Sequence, residues 1–189
     1  PIMLFAASSN AFGAELWRSD GTAAGTRLVE DINRGAPGSV PKFLTPMGGL
    51  VYFSADDGYR GVELWATDGM PTGSGASTRQ VFDVNPGAGS SSPAYMCEVN
   101  GTLFFRADDG VHGAELWVTT GTAASTRMVA DIQLGPLGSE PSHIVAYNGH
   151  AYFQADDGLN GAELWRSNGT YEGTTLLVDI EAGFASSRP

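Results

Sequence analysis

The triplet Glu-Leu-Trp occurs four times, at 15–17, 63–65, 115–117 and 163–165, with spacings of 48, 52 and 48 residues. Self-similarity at a period of this size marks an array of like supersecondary units, each too small to bury a core alone. The rest of the unit repeats in step. "LFAASSNAFGA", "YFSADDGYRGV", "FFRADDGVHGA" and "YFQADDGLNGA" precede the triplet, and "LVEDI", "VFDV", "MVADI" and "LVDI" follow it. A Gly/Ser/Pro loop then ends each unit at Pro41, Pro93, Pro141 and Pro189. The longer spacing comes from extra residues in "DGMPTGSGASTR". The chain therefore reads as a single repeat array with units at approximately 1–39, 40–91, 92–139 and 140–189.

Each unit reads as four short strands. In the second these are "KFLTPM", "LVYFSA", "VELWAT" and "TRQVFDV", rich in Val, Phe, Tyr, Trp and Leu and bounded by Gly, Asp and Pro. No segment has the length and 3.6-residue period of a helix. The Asn-Gly pairs at 100–101 and 148–149 suit a tight hairpin, because both residues accept positive φ. "DDG" closes strand two, and "SDG", "TDG" and "SNG" close strand three, with side chains able to accept from amides two residues on. Four antiparallel strands in about 48 residues, repeated, is the pattern of a propeller blade. The predicted fold is all-β: a β-propeller of four four-stranded repeats, either a four-bladed ring or part of a larger one. The first unit opens at strand two, leaving three copies of strand one for four units. A longer parent chain, a second copy or another protein is therefore expected to cover the edge at Leu4–Phe5.

Charge excludes some partners. The formal net charge is −11, and the cations are nine Arg and the lone Lys42, without a basic cluster. That is no surface for nucleic acid. No apolar run approaches the roughly 18 residues that span a bilayer, and no leader is visible in "PIMLFAASSN". Cys97, the one cysteine, has apolar flanks and reads as a buried, inert thiol.

The stretch "FRADDGVHGAELWVTTGT" gathers Asp108, Asp109, His112 and Glu115, and resembles a catalytic or metal site. The repeat argues otherwise. The Asp pair recurs as Asp56–Asp57 and Asp156–Asp157, and Glu115 as Glu15, Glu63 and Glu163. A catalytic set is asymmetric and occurs once, whereas a feature on nearly every unit is what the unit needs to fold. His112 is replaced by Phe12, Arg60 and Asn160, and His143 and His150 share no ligand spacing with it. No catalytic residue and no cofactor is assigned. Calcium remains an alternative, because Asp56, Asp57, Asp108, Asp109, Asp156 and Asp157 offer hard oxygens. Against it, the first unit has Ser8 and Ser9 at that place. Trp17, Trp65, Trp117 and Trp165 are expected to be buried between neighbouring sheets, an aromatic ligand cage being the alternative. The glutamates are expected to pair across strands with Arg27, Arg79 and Arg127, although the fourth unit has Thr175 there.

These residues resemble a known bacterial repeat, the ELW-x-x-DGT family. "ELWRSDGT" at 15–22 matches it, "ELWATDGM", "ELWVTTGT" and "ELWRSNGT" are weaker versions, and the resemblance covers the whole chain. It implies secreted or surface-exposed bacterial proteins built of tandem propeller-like units, and it carries no catalytic residues. The expected function is a non-catalytic extracellular or cell-surface module for protein or glycan interaction or structural assembly. A calcium-dependent binding module and a propeller glycosidase remain alternatives. The latter needs two carboxylates about 5–10 Å apart across one bond.

Overall fold

In the computed structural model, residues 2–71, 78–183, 185–187 and 189 are described. The insertion that lengthens the second unit falls at 72–77, outside them. The chain divides into two compact units, Pro1–Ser90 and Ser91–Pro189, and each holds two antiparallel sheets.

In the first unit, β1 (Met3–Ser9), β2 (Gly13–Ser19) and β3 (Arg27–Glu30) form a three-stranded sheet in that order. The strands β4 (Lys42–Met47), β5 (Leu50–Asp56), β6 (Val62–Thr67) and β7 (Arg79–Phe82) form a four-stranded meander. In the second unit, β8 (Ala94–Val99), β9 (Thr102–Asp108), β10 (Ala114–Thr119) and β11 (Arg127–Ala130) form one meander. The other comprises β12 (Ser142–Tyr147), β13 (His150–Asp156), β14 (Ala162–Ser167) and β15 (Thr175–Val178). Among the described residues the only helix is the 3-10 turn Ala123–Ser125. Among the described residues the first sheet has three strands where the others have four, and β1 pairs with β2.

The second and third strands of each sheet pair without slippage, Phe53 opposite Trp65 and Phe105 opposite Trp117. Two irregularities recur around this frame. The register with strand four shifts between Leu and Trp of every triplet. Strand one carries a second shift, where Phe43, Tyr95 and His143 take left-handed φ of 57°, 52° and 53°. Such a conformation costs a side-chain-bearing residue about 1–3 kcal/mol, so the surrounding sheet must impose it. The Asn-Gly hairpins form as read, with Asn100 and Asn148 at φ 51° and 49°.

The cores lie between sheets. In the first unit Leu16, Val29, Ile32, Phe53 and Ala55 form a buried cluster, and Leu4, Leu44 and Trp65 pack on it. In the second unit Phe104, Leu116, Val118, Ile144 and Phe153 do the same, with Trp165 packed against them.

The loop after strand four folds back over the start of strand three, backbone on backbone. A Cβ on Gly13 would lie 2.5 Å from the Ala36 carbonyl oxygen, and one on Gly38 would lie 2.3 Å from the Ala14 nitrogen. Both glycines have positive φ, so no other residue fits at this crossing. The loop then enters the next sheet: Val40 donates to the Ala14 carbonyl at 2.9 Å, and Asp56 of the next unit donates to the Ser39 carbonyl at 3.0 Å.

Candidate functional site

The repeated carboxylates divide into two kinds. The glutamates of the triplet are completely buried at all four positions. Glu15 accepts from the amides of Asn33 and Ser39 at 3.0 and 2.9 Å and from the Ser39 hydroxyl. Glu115 repeats this with Gln133 at 3.1 Å, Ser139 at 2.9 Å and the Ser139 hydroxyl. Glu163 takes Ile180 and Ser187 at 3.1 and 2.8 Å, and Glu63 takes Val84 at 3.0 Å. The glutamate is thus a clasp that gathers the crossing loop. Burial pushes the Glu15 and Glu115 carboxyls above the ordinary range, outweighing their donors. At Glu163 the Ser187 hydroxyl and the neighbouring amides outweigh burial and hold the carboxyl below it.

Arg27, Arg79 and Arg127, expected to pair with these glutamates, do not stand opposite them. Each arginine stands three residues further along, opposite Arg18, Ala66 and Val118. Arg127 instead reaches the Gly169 carbonyl at 2.6 Å, and Arg18 reaches that of Gly69 at 2.8 Å. The carboxylates' donors lie in a loop 18 to 24 residues downstream, which cross-strand reasoning does not reach.

The Asp pairs serve their own turn. Asp56, Asp108 and Asp156 accept from the amides of Gly58, Gly110 and Gly158, each at 2.7 Å. The second aspartate turns inward. Asp109 takes the amides of Val111 and His112 at 2.9 and 2.8 Å and the His112 imidazole at 2.8 Å. Asp57 and Asp157 do the same with Arg60 and Asn160. Partial burial would raise these carboxyls, yet the amides and side-chain partners win and hold all three below the ordinary value. The His112 imidazole is raised in turn by its bond to Asp109. So His112, Arg60 and Asn160 are interchangeable caps on one aspartate. Among the described residues no three His, Cys, Asp or Glu side chains converge as a metal site.

The tryptophans depart from uniform burial. Trp117 is 7% exposed, whereas Trp17, Trp65 and Trp165 are half-buried. Trp165 helps to line two hollows. One, of about 350 Å³, is bounded by Asp131, Ile132, Trp165, Tyr171, Glu172 and Thr174. The other, of about 460 Å³, is flanked by Leu134 and Leu159. The indole N–H of all four tryptophans is sealed from solvent without an acceptor among the described residues, as is one carboxylate oxygen each of Asp83, Asp131 and Asp179. Cys97 is half-buried, and burial raises its thiol. Sequence reasoning missed Tyr171 and Glu172. Their signal is that they stand where other units have Ala23–Ala24 and Ala123–Ala124.

No protein-family model matches the sequence, and no curated protein does. Solved structures do resemble it. Puromycin hydrolase (an S511A mutant complexed with PGG) superposes at TM-score 0.59 with 15% identity, over 94% of this chain and 28% of that one. Prolyl oligopeptidase B from Galerina marginata, bound to a 35mer hydrolysis and macrocyclization substrate, gives 0.55 at 13%, over 98% and 27%. The computationally designed Ika8 protein gives 0.50 at 17%, over 98% and 48%. The chain spans between about a quarter and a half of these proteins, and at such identity the likeness is one of fold.

Proposed function

We propose that the chain is a non-catalytic β-propeller module, extracellular or on the cell surface, that presents loops to a protein or glycan partner. One observation carries this reading: the carboxylates stamped on each unit are spent on the molecule's own backbone amides. The serine hydroxyls that Glu15, Glu115 and Glu163 accept from belong to the same crossing loop and recur with it, as scaffold does. The solved structures add support, since the matched parts of the peptidases are propeller domains. The resemblance to ELW-x-x-DGT repeats supports the extracellular setting. Blade number is four or a share of a larger ring, and the free edge of β1 would accept a strand from another segment or chain by β-augmentation. Among the described residues no helix is long and apolar enough to cross a membrane.

The test is to expose the chain to a glycan array and to candidate partner proteins while following peptide and glycoside substrates. Retention of a ligand without turnover is expected. Cleavage of a peptide or a glycosidic bond that persists in purified material would overturn the non-catalytic reading.

A further inference from the structure

The repeat supplies an internal control for function. The turn after strand three is built alike in three described units. Thr26, Thr126 and Thr174 donate to the carbonyls of Thr22, Thr122 and Thr170 at 2.7, 2.8 and 2.8 Å. The same hydroxyls bond Ser19, Thr119 and Ser167 at 2.7, 2.8 and 2.8 Å. The residues carried at its tip differ: Ala23–Ala24, Ala123–Ala124, but Tyr171–Glu172. Since the alanine pair makes the same turn, folding does not explain the tyrosine and glutamate. Tyr171 is 69% exposed, so its ring is available to a ligand. Both residues border the 350 Å³ cleft that Trp165 and Asp131 also line.

We propose that this cleft binds a pyranose ring, as a monosaccharide or the end of a glycan. The inference rests on the glycan arm of the function proposed above. The cleft's volume sits at the small end of ligand sites, about 300–1,000 Å³, which suits one sugar residue. A pyranose has an apolar C–H face and a rim of hydroxyls. The rings of Tyr171 and Trp165 take the face, and the carboxylates of Glu172 and Asp131 accept from the hydroxyls.

The experiment compares the chain with its Tyr171→Ala/Glu172→Ala double variant. The probes are methyl glycosides of glucose, mannose and galactose, together with N-acetylglucosamine, read by saturation-transfer NMR and calorimetry. At least one probe is expected to bind, and the variant should lose about tenfold or more in affinity. Its melting temperature should be unchanged, because the substitution restores the alanine pair of the other turns. Equal binding by the variant would overturn the cleft as the site while leaving glycan binding intact. Binding of choline but of no glycoside would replace the sugar with a cation and overturn the proposal. No binding of any probe would overturn it too, and the module reading would then rest on its protein-partner test.

Discussion

Glu115 and Asp109 are carboxylates six residues apart, and both recur along the chain, yet they do opposite work. Asp109 closes a turn two to three residues away and remains partly exposed. Glu115 has no solvent contact and binds a loop 18 and 24 residues on. The comparison teaches that recurrence identifies scaffold but not its reach. The local role can be replaced by other turn chemistry, whereas the distant one reinforces a crossing of two segments that otherwise rests on a few backbone contacts.

The largest expected effect is therefore at the glutamate. Glu115→Ala strands the amides of Gln133 and Ser139 without an acceptor, and should cost about 3 kcal/mol or more in denaturant melts. A loss under 1 kcal/mol would mean that water replaces the carboxylate freely. Asp109→Ala removes local bonds at a site water can reach and should cost about 1 kcal/mol. If it costs as much as the glutamate, the distinction of reach collapses.

The two also differ in the sign of their pH dependence. Glu15 and Glu115 have folded values raised above 4.5, so in the window just above 4.5 the folded state holds more protons than the unfolded. Their contribution falls as pH rises through it. Asp57, Asp109 and Asp157 are lowered from 3.8, so theirs is present above 3.8 and is lost as pH falls below it. Melting temperature against pH should show both limbs, and Glu115→Gln should flatten the one above 4.5 alone. Flattening of the acid limb instead would show that the coupling has been assigned to the wrong carboxylate.

The smallest expected effect is none: a chelator should leave the melting temperature unchanged, since the Asp oxygens already have amide donors. A drop that added calcium reverses would make these turns metal sites, because a ligand held only by the folded state raises stability by mass action.

How much was legible follows from the same distinction of distance. The strand at Lys42–Met47, the Asn-Gly hairpins and the Asp turns are local, and their chemistry lies within a few residues. The partners of Glu15 and Glu115 were not legible, because pairing them needs the path of a loop that only packed sheets determine. The left-handed Phe43, Tyr95 and His143 were hidden for the same reason, as neither their residue type nor their neighbours favour positive φ. At the cleft, Trp165 stood out by repetition. Tyr171 and Glu172 stood out only by breaking it, a signal that appears once the turn is seen to be built the same way without them.

The clasp also has a mechanical meaning. Ser39 gives its amide and hydroxyl to Glu15 and its carbonyl to Asp56 of the following sheet. A tension applied along the chain would pass from Glu15 across to Ser39 and on, leaving the 24 residues of separation slack behind the bond. Each unit is a shackle in series rather than a length of rope. Extension in a force spectrometer should release about 80 Å of hidden contour when such a shackle opens, and Glu15→Ala should remove that step from the first unit.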